Sequence, residues 1–208
     1  MQASDVFWNR IARKYAASPV ADPAAYAHTL DRTRSYLNAS DQMLEVGCGT
    51  GTTALHLADA VAHITATDIS SEMTKIAKEK ADAAAVKNVT FAVSDTQLRD
   101  FADSGFDVVT AFSLLHLLPD IPETLSRVHE VLRPDGLFVS KTVCLAEDNP
   151  LIRMAVPVLQ WIGKAPYVTF LRPEQLEAKI RAAGFEIVES GEHNKRSRGH
   201  FVVARKSG

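Results

Sequence analysis

Residues 43–51 read Met43-Leu44-Glu45-Val46-Gly47-Cys48-Gly49-Thr50-Gly51, and a stretch rich in alanine and leucine follows at residues 52–58. An apolar run that breaks into a glycine-spaced turn before a helical pattern predicts a strand, a tight loop and a helix start. Glycine has no Cβ, so the backbone of such a loop can turn sharply and lie close to a ligand. The stretch therefore predicts the opening of a βαβ unit with a ligand site at its loop.

An acidic residue follows the next predicted strand. Asp68 comes directly after the apolar segment 62–67, seventeen residues beyond Gly51. A carboxylate at the end of the second strand of a βαβ unit can accept hydrogen bonds from ribose hydroxyls. The alternative is that Asp68 caps the N-terminus of the following helix. The first interpretation indicates a cofactor that contains a nucleoside.

The composition is that of an ordinary globular protein. The chain has 208 residues, of which 46% are hydrophobic and 23% charged, and its formal net charge is −2. That charge gives no general attraction to nucleic acid or to an anionic membrane. Two cysteines, Cys48 and Cys144, fit a reducing compartment better than a disulfide framework, and no spacing is typical of a metal site. We expect a cytoplasmic protein without a signal peptide or membrane span.

Strands and helices alternate through the middle of the chain. Helical patterns separate apolar, strand-like segments at residues 44–46, 62–67, 88–93, 106–112 and 137–142. This alternation predicts a parallel sheet covered by helices on both faces. A helix at 173–183 then precedes strands at 185–190 and 200–205, which have no helix between them and so predict an antiparallel hairpin. The expected fold is α/β, a Rossmann-like doubly wound sheet of seven strands with this hairpin at its C-terminal end.

Five motifs follow one another along the chain: the glycine loop at 44–51, Thr67-Asp68-Ile69-Ser70, Ser94-Asp95-Thr96, the segment 106–116 and the turn Leu132-Arg133-Pro134-Asp135-Gly136. In this order they resemble the motifs of the class I S-adenosylmethionine-dependent methyltransferases that act on small molecules, similar to the quinone-biosynthesis or type 11 group. The resemblance covers residues 40–142 closely and 173–206 by architecture only. One departure is Leu137, where the family often has a second glycine.

The resemblance implies S-adenosylmethionine as the cofactor and a set of residues that bind it. Asp68 would bind the ribose, Ile69 would pack on the adenine face, and Asp95 would accept a hydrogen bond from the adenine amine. Asp95 could instead serve the turn of its own loop. The full set of expected cofactor-binding positions is Tyr15, Glu45, Gly47, Cys48, Gly49, Gly51, Asp68, Ile69, Met73, Asp95, Thr96 and Phe112.

A carboxylate beside the glycine loop favours a cationic cofactor. Glu45 lies two residues before Gly47, whereas a loop that binds pyrophosphate should avoid nearby negative charge. The spacing also differs from the G-x-G-x-x-G of dinucleotide sites, because Thr52 occupies the final position. Both features favour a cofactor with an ammonium and a sulfonium over NAD. Glu45 could also be a structural carboxylate that caps the loop.

The residues of the methyl acceptor site are less sharply defined. A sulfonium leaves as a neutral thioether, so the protein mainly has to align the acceptor and exclude water. A general base is needed only if the acceptor loses a proton, and His116 is the candidate for this role. Alternatively, His116 is a loop histidine that makes a structural hydrogen bond. Ser113, Trp161 and Tyr167 are the expected substrate contacts, and their surroundings favour a small apolar or aromatic acceptor.

We expect a single domain over residues 1–208. It would comprise an N-terminal helical lid at 1–40, a cofactor-binding core at 41–142, a cap insertion at 143–171, and a C-terminal helix and hairpin at 172–208. The helices before residue 40 could instead serve packing alone, and the insertion could simply cover one end of the sheet. The oligomeric state is not indicated by any pattern.

Three other functions remain open from the sequence. The first is an S-adenosylmethionine-binding regulator without activity, and the second is an NAD-dependent oxidoreductase. The third, a nucleic-acid methyltransferase, would need a basic face. The only basic cluster is Lys195-Arg196-Ser197-Arg198, which has the composition of a solvated hairpin turn, with contact to an acidic acceptor or RNA as the alternative.

Overall fold

A computed structural model gives the structure of the chain and describes residues 3–102, 104–146, 156, 159–160, 165–192 and 199–207. The strands are β1 Gln42–Val46, β2 His63–Asp68, β3 Val89–Val93, β4 Phe106–Phe112, β5 Leu132–Val143, β6 Phe185–Glu192 and β7 Gly199–Lys206. The helices include α1 Ala3–Ala17, α2 Pro23–Arg34, α3 Thr52–Leu57, α4 Ser71–Ala83, α5 Ile121–Val131 and α6 Pro173–Ala182. Short 3₁₀ turns occupy Ala58–Ala60, Arg99–Phe101 and Leu115–Leu117.

The seven strands form one sheet in the order β3-β2-β1-β4-β5-β7-β6. Strands β1 to β5 pair in parallel, whereas β7 pairs antiparallel with both β5 and β6. The predicted α/β fold, with a doubly wound sheet and a C-terminal antiparallel hairpin, is confirmed. The strand order reverses between β1 and β4, and ligands of open α/β sheets bind beyond the carboxyl ends of the strands at such a point.

The sheet is buried on both faces, as the apolar runs of its strands predict. In β1, Leu44 and Val46 pack into a core with α5 and α6. Met43, which points to the opposite face, packs into a second core with α3 and α4. Because helices cover both sides of the sheet, the carboxyl edge of the parallel strands is left as the place for a site.

Side-chain caps fix where three helices begin. Asp22 accepts a hydrogen bond from the Ala25 amide at the start of α2, and Ser70 accepts one from the Met73 amide at the start of α4. Asp120 does the same for α5. Each cap satisfies an amide that the helix itself leaves unpaired.

Strand β5 begins earlier than predicted because it includes the turn expected before it. Leu132 pairs with Phe106 and Leu137 pairs with Val108. Residues 133–136 therefore have no paired position in β4 and form an irregularity between these two pairs. The departure at Leu137 from the resembled family is therefore accommodated, since this residue sits in the paired part of the strand.

Helix α1 lies outside the two main cores. It contacts α4 through a small separate cluster in which Trp8, Ala12 and Ala16 pack against Met73 and Ile76. Within the described residues, no helix has both the length and the apolar character needed to cross a bilayer.

Some predictions fall on residues that the structure does not describe. These are much of the cap insertion expected at 143–171, the substrate contact Trp161, and the basic cluster at 195–198. The boundaries of the lid, core, cap and hairpin regions also stay predictions.

Gly51 should be a position where any side chain costs stability. Its φ is +75°, and an added Cβ would lie 2.7 Å from Ala77 Cβ and 2.8 Å from the Phe91 ring. Gly51→Ala should therefore lose about 1–2 kcal/mol from backbone strain and about 1–3 kcal/mol more from overpacking. The free energy of unfolding in urea measures this loss.

Gly105→Ala is the matched control, because its φ is +61° but nothing lies within 4 Å of an added Cβ. It should show the backbone cost alone. Equal losses at Gly51 and Gly105 would contradict the packing argument.

Candidate active site

A cleft of about 480 Å³ opens beyond the carboxyl ends of the parallel strands. Most of the site residues expected from the sequence line this cleft. The expected cofactor-binding positions that line it are Tyr15, Gly47, Gly49, Asp68, Ile69, Met73, Asp95, Thr96 and Phe112. The expected substrate contacts Ser113 and Tyr167 also line it, whereas Glu45, Cys48 and Gly51 are not among its lining residues.

The glycine loop turns by placing its glycines in the left-handed region. Gly47 and Gly49 have φ values of +73° and +54°. An added Cβ at Gly47 would lie 2.8 Å from a Leu114 methyl group, but at Gly49 the nearest atom would be a Tyr15 ring carbon at 3.8 Å. The loop is thus closed beneath Gly47 and open above Gly49, which leaves room for a ligand against its backbone.

Asp68 joins the glycine loop to the end of β2. One carboxylate oxygen accepts the Gly49 amide at 2.8 Å, and the other accepts the Ser70 amide at 2.9 Å. Burial raises the pKa of Asp68, although these two backbone donors act in the opposite direction. Because each oxygen has a second lone pair and the side chain lines the cleft, Asp68 can also accept hydrogen bonds from two vicinal hydroxyls. The alternative capping role belongs to Ser70.

Glu45 lies behind the loop and is 2% exposed. One of its oxygens has no hydrogen-bond partner among the described residues, while the Ala54 amide donates to the carboxylate. Burial, followed by the charge of Asp68, raises the pKa of Glu45 to about 8. The contact with Ala54 supports the structural role that the sequence left open. Its unpartnered oxygen and the neighbouring carboxylate also suit a cofactor that brings positive charge.

Cys48 and Gly51 support the loop from behind. The Cys48 amide donates to the Thr67 carbonyl at 2.8 Å, and the Cys48 side chain is buried in the core on the α3 side of the sheet. Gly51 sits at the N-terminal boundary of α3. Both residues therefore shape the site without lining the cleft.

The end of β3 closes the side of the cleft where the adenine is expected. Asp95 accepts a hydrogen bond from the Gln97 amide at 2.9 Å, which is the turn role that the sequence left open. Asp95, Thr96 and Ile69 also line the cleft. The Asp95 carboxylate thus holds its own loop while it faces the cleft.

Ser113 follows β4 in a strained backbone conformation. Its φ is +53°, which is uncommon for a residue other than glycine, and its amide donates to the Lys141 carbonyl at 2.7 Å. Such conformations persist where the surrounding structure holds them, often at functional sites. The exposed Ser113 and the neighbouring Phe112 both line the cleft.

His116 is not brought to the cleft. Its side chain is 9% exposed within the 3₁₀ turn Leu115–Leu117, and the neighbours Leu114 and Leu117 line the cleft instead. Burial lowers the pKa of His116 to about 4, so the imidazole is neutral at pH 7. Its carbonyl accepts the Thr169 amide at 2.7 Å. The role of His116 as a base stays a prediction, and the contact made by its backbone fits the structural alternative.

The cleft also has lining residues outside the set of site residues expected from the sequence. They form the cleft wall after β4 and part of the face of α1, and they are Ser4, Trp8, Leu114, Leu117, Leu118, Pro119, Asp120, Glu123 and Thr124, with Val46, Ser94 and Gln97 nearer the strand ends. The run of leucines after Ser113 was a signal for an apolar wall. Among the described lining residues the charged side chains are all carboxylates: Asp68, Asp95, Asp120 and Glu123.

Comparisons with known proteins agree with this geometry. A family model described as a methyltransferase domain matches residues 37–179. The chain is 29% identical over 182 residues to a demethylmenaquinone methyltransferase from Symbiobacterium thermophilum, covering 73% of this chain and 71% of that protein. It is 30% identical over 152 residues to a 27-O-demethylrifamycin SV methyltransferase from Amycolatopsis mediterranei, covering 72% of this chain and 56% of that protein.

Solved structures support the fold. A crystal structure of a SAM-dependent methyltransferase from Aquifex aeolicus superposes with a TM-score of 0.72 at 18% identity, covering 95% of this chain and 98% of that one.

The buried Glu45 should make stability without ligand depend on pH. Its folded pKa of about 8 lies above the ordinary value of 4.5, so above pH 4.5 the folded state keeps a proton that the unfolded chain releases. The free energy of unfolding should therefore fall as pH rises toward 8, by at most about 1.4 kcal/mol per unit. His116, whose pKa is lowered, opposes this trend only below about 6.5.

Glu45→Gln should remove this contribution between pH 6.5 and 8, as measured by urea unfolding at several pH values. Glu79→Gln, on the exposed surface of α4, is the matched control and should keep the wild-type slope. An unchanged slope in Glu45→Gln would contradict the assignment.

Proposed function

The chain belongs to the S-adenosylmethionine-dependent methyltransferases, and from this premise we propose that it methylates a small, uncharged, apolar or aromatic molecule. The observation that carries the proposal is the composition of the cleft wall beyond Phe112. Leu114, Leu117 and Pro119 lie on this wall, and Tyr167 adds an aromatic ring. Pockets of this composition favour apolar and aromatic ligands.

The cofactor would occupy the half of the cleft beside β1, β2 and β3. Asp68 would hold the ribose, and Ile69 and Asp95 would hold the adenine. The amino acid end would lie against the backbone of Gly47 and Gly49, where its positive charge would favour the ionised form of the nearby Glu45, whose pKa is about 8 without ligand. The donor set fits this cofactor, because the described side chains around the cleft offer acceptors for hydroxyl, amine and ammonium groups.

When bound, the cofactor supplies an electrophilic methyl group on a sulfonium. The chain then has to hold the acceptor in line with that methyl group and keep water out. We assign the second task to α1, as a lid, because Trp8 and Tyr15 line the cleft from this helix. The charge of the sulfonium disappears in the transfer, so the apolar wall suits the neutral thioether product.

The charges of the cleft narrow the class of acceptor. Its described lining residues carry carboxylates but no lysine, arginine or histidine side chain, so an anionic acceptor would find no cationic partner among them. The relatives named as a demethylmenaquinone methyltransferase and a 27-O-demethylrifamycin SV methyltransferase support a small-molecule acceptor. The cleft also has lining residues beyond Phe112 that are outside the expected cofactor set, which argues against a regulator that only binds the cofactor.

A panel of methyl acceptors tests the proposal. Labelled S-adenosylmethionine should transfer its methyl group to neutral phenols, quinols or other apolar aromatics more readily than to phosphorylated or carboxylated analogues. Transfer only to anionic acceptors would contradict the assigned acceptor class. Cofactor binding without transfer to any neutral acceptor of the panel would favour the regulator.

Asp68→Ala should weaken cofactor binding. The change removes a charged acceptor from the cleft and also frees the amides of Gly49 and Ser70. Losing charged hydrogen bonds of this kind costs about 1.5–3 kcal/mol, which is roughly a 10- to 150-fold rise in the dissociation constant. Calorimetry with S-adenosylhomocysteine measures it, and Asp82→Ala, an exposed acid on α4, should bind as the wild type does. Unchanged affinity of Asp68→Ala would refute the ribose assignment.

A further inference from the structure

The side-chain oxygen of Asn9 receives several donors from the start of α4. The Ser70 hydroxyl donates to it at 2.7 Å and the Glu72 amide at 3.1 Å, while the Ser71 hydroxyl makes a longer contact at 3.5 Å. All three partners are donors, so an oxygen is required at this position and the amide nitrogen of Asn9 is not. The Glu72 amide is one of those that a helix N-terminus leaves unpaired.

Apart from this contact, α1 is held by few apolar side chains. Trp8, Ala12 and Ala16 pack against α4 in a cluster separate from both main cores. The adjacent edge of α1 contributes Ser4, Trp8 and Tyr15 to the cleft, so Trp8 belongs to both surfaces. A segment with so little buried apolar surface opens more readily than the sheet does. The hydrogen bonds of Asn9 therefore add directly to this small cluster in holding α1 against α4.

Ser70, the partner of Asn9, also contacts residues on the cofactor side of the cleft. Ser70 is fully buried; its amide donates to Asp68 and its hydroxyl caps the Met73 amide. Met73 lines the cleft and also packs under α1. One residue, Ser70, thus touches the lid through Asn9 and the expected ribose carboxylate through its amide.

We propose that Asn9 is a positioning residue that latches α1 closed over the cleft and so sets how fast the cofactor leaves. The inference rests on the proposed function only for the identity of the ligand. In the closed arrangement Tyr15 lies over Gly49, where an added Cβ would be 3.8 Å from its ring. Loss of the latch shifts α1 toward an open position, and an open α1 no longer retains a ligand beside Asp68.

Two variants separate the latch from ordinary helix packing. Asn9→Leu keeps a similar volume but has no acceptor, whereas Asn9→Asp keeps the acceptor oxygen and adds negative charge at a helix N-terminus, where it is favourable. Asn9→Leu should release S-adenosylhomocysteine roughly 3- to 10-fold faster, the factor expected for one net hydrogen bond. Asn9→Asp should release it at the wild-type rate or more slowly.

Stopped-flow measurement of S-adenosylhomocysteine dissociation tests this, with Ser71→Ala as the control. That variant removes only the 3.5 Å contact and should dissociate at the wild-type rate. Dissociation from Asn9→Leu at the wild-type rate would overturn the latch. Dissociation from Asn9→Asp as fast as from Asn9→Leu would also overturn it. The acceptor oxygen that Asp retains would then have no effect on the release of the ligand.

A second measurement does not depend on the cofactor. Trypsin should cut ligand-free Asn9→Leu after the exposed residues Arg13 and Lys14 faster than it cuts the wild type or Asn9→Asp. Equal cleavage of all three proteins would overturn the latch. If the wild type fails to bind S-adenosylhomocysteine but the cleavage rates differ as expected, the proposed function fails and the latch stands.

Discussion

The carboxylate of Asp68 is the contact on which the arrangement of the cleft depends. It accepts one amide from the glycine loop and one from the residue that caps α4, at 2.8 and 2.9 Å. These bonds fix the positions of Gly49 and Ser70 relative to the end of β2. The loop, the second strand and α4 therefore meet as one unit at the point where the strand order reverses.

Two acids near this unit, the buried Glu45 and the partly buried Asp68, explain why it suits a cationic ligand, which would favour the ionised form of both. Glu45 and Asp68 lie close enough for the charge of one to raise the pKa of the other, and burial acts in the same direction. Among the described residues that line the cleft, no basic side chain offsets this pair. A site of this kind is less stable without its ligand than an apolar core of the same size. Functional sites often carry such a cost.

Much of this arrangement can be predicted from the sequence. Alternating apolar runs and capping residues locate the strands and helices within a few residues, because both follow from local chemistry. The loop and Asp68 follow from their order along the chain. Local patterns cannot show that Glu45 points behind the loop, that a 3₁₀ turn carries His116 away from the cleft, or that β5 continues past residues 133–136. The contact of Asn9 with Ser70 joins positions sixty-one apart, and no single-segment pattern reports it.

The central claim is that this cleft binds a nucleoside carrying a sulfonium and an ammonium rather than a dinucleotide. Thermal denaturation with S-adenosylmethionine, S-adenosylhomocysteine and NAD, each at the same concentration, tests it most directly. A ligand that binds the folded state raises the midpoint of unfolding. The account predicts that S-adenosylmethionine and S-adenosylhomocysteine each raise the midpoint of unfolding and that NAD leaves it unchanged. A higher midpoint with NAD alone would contradict it.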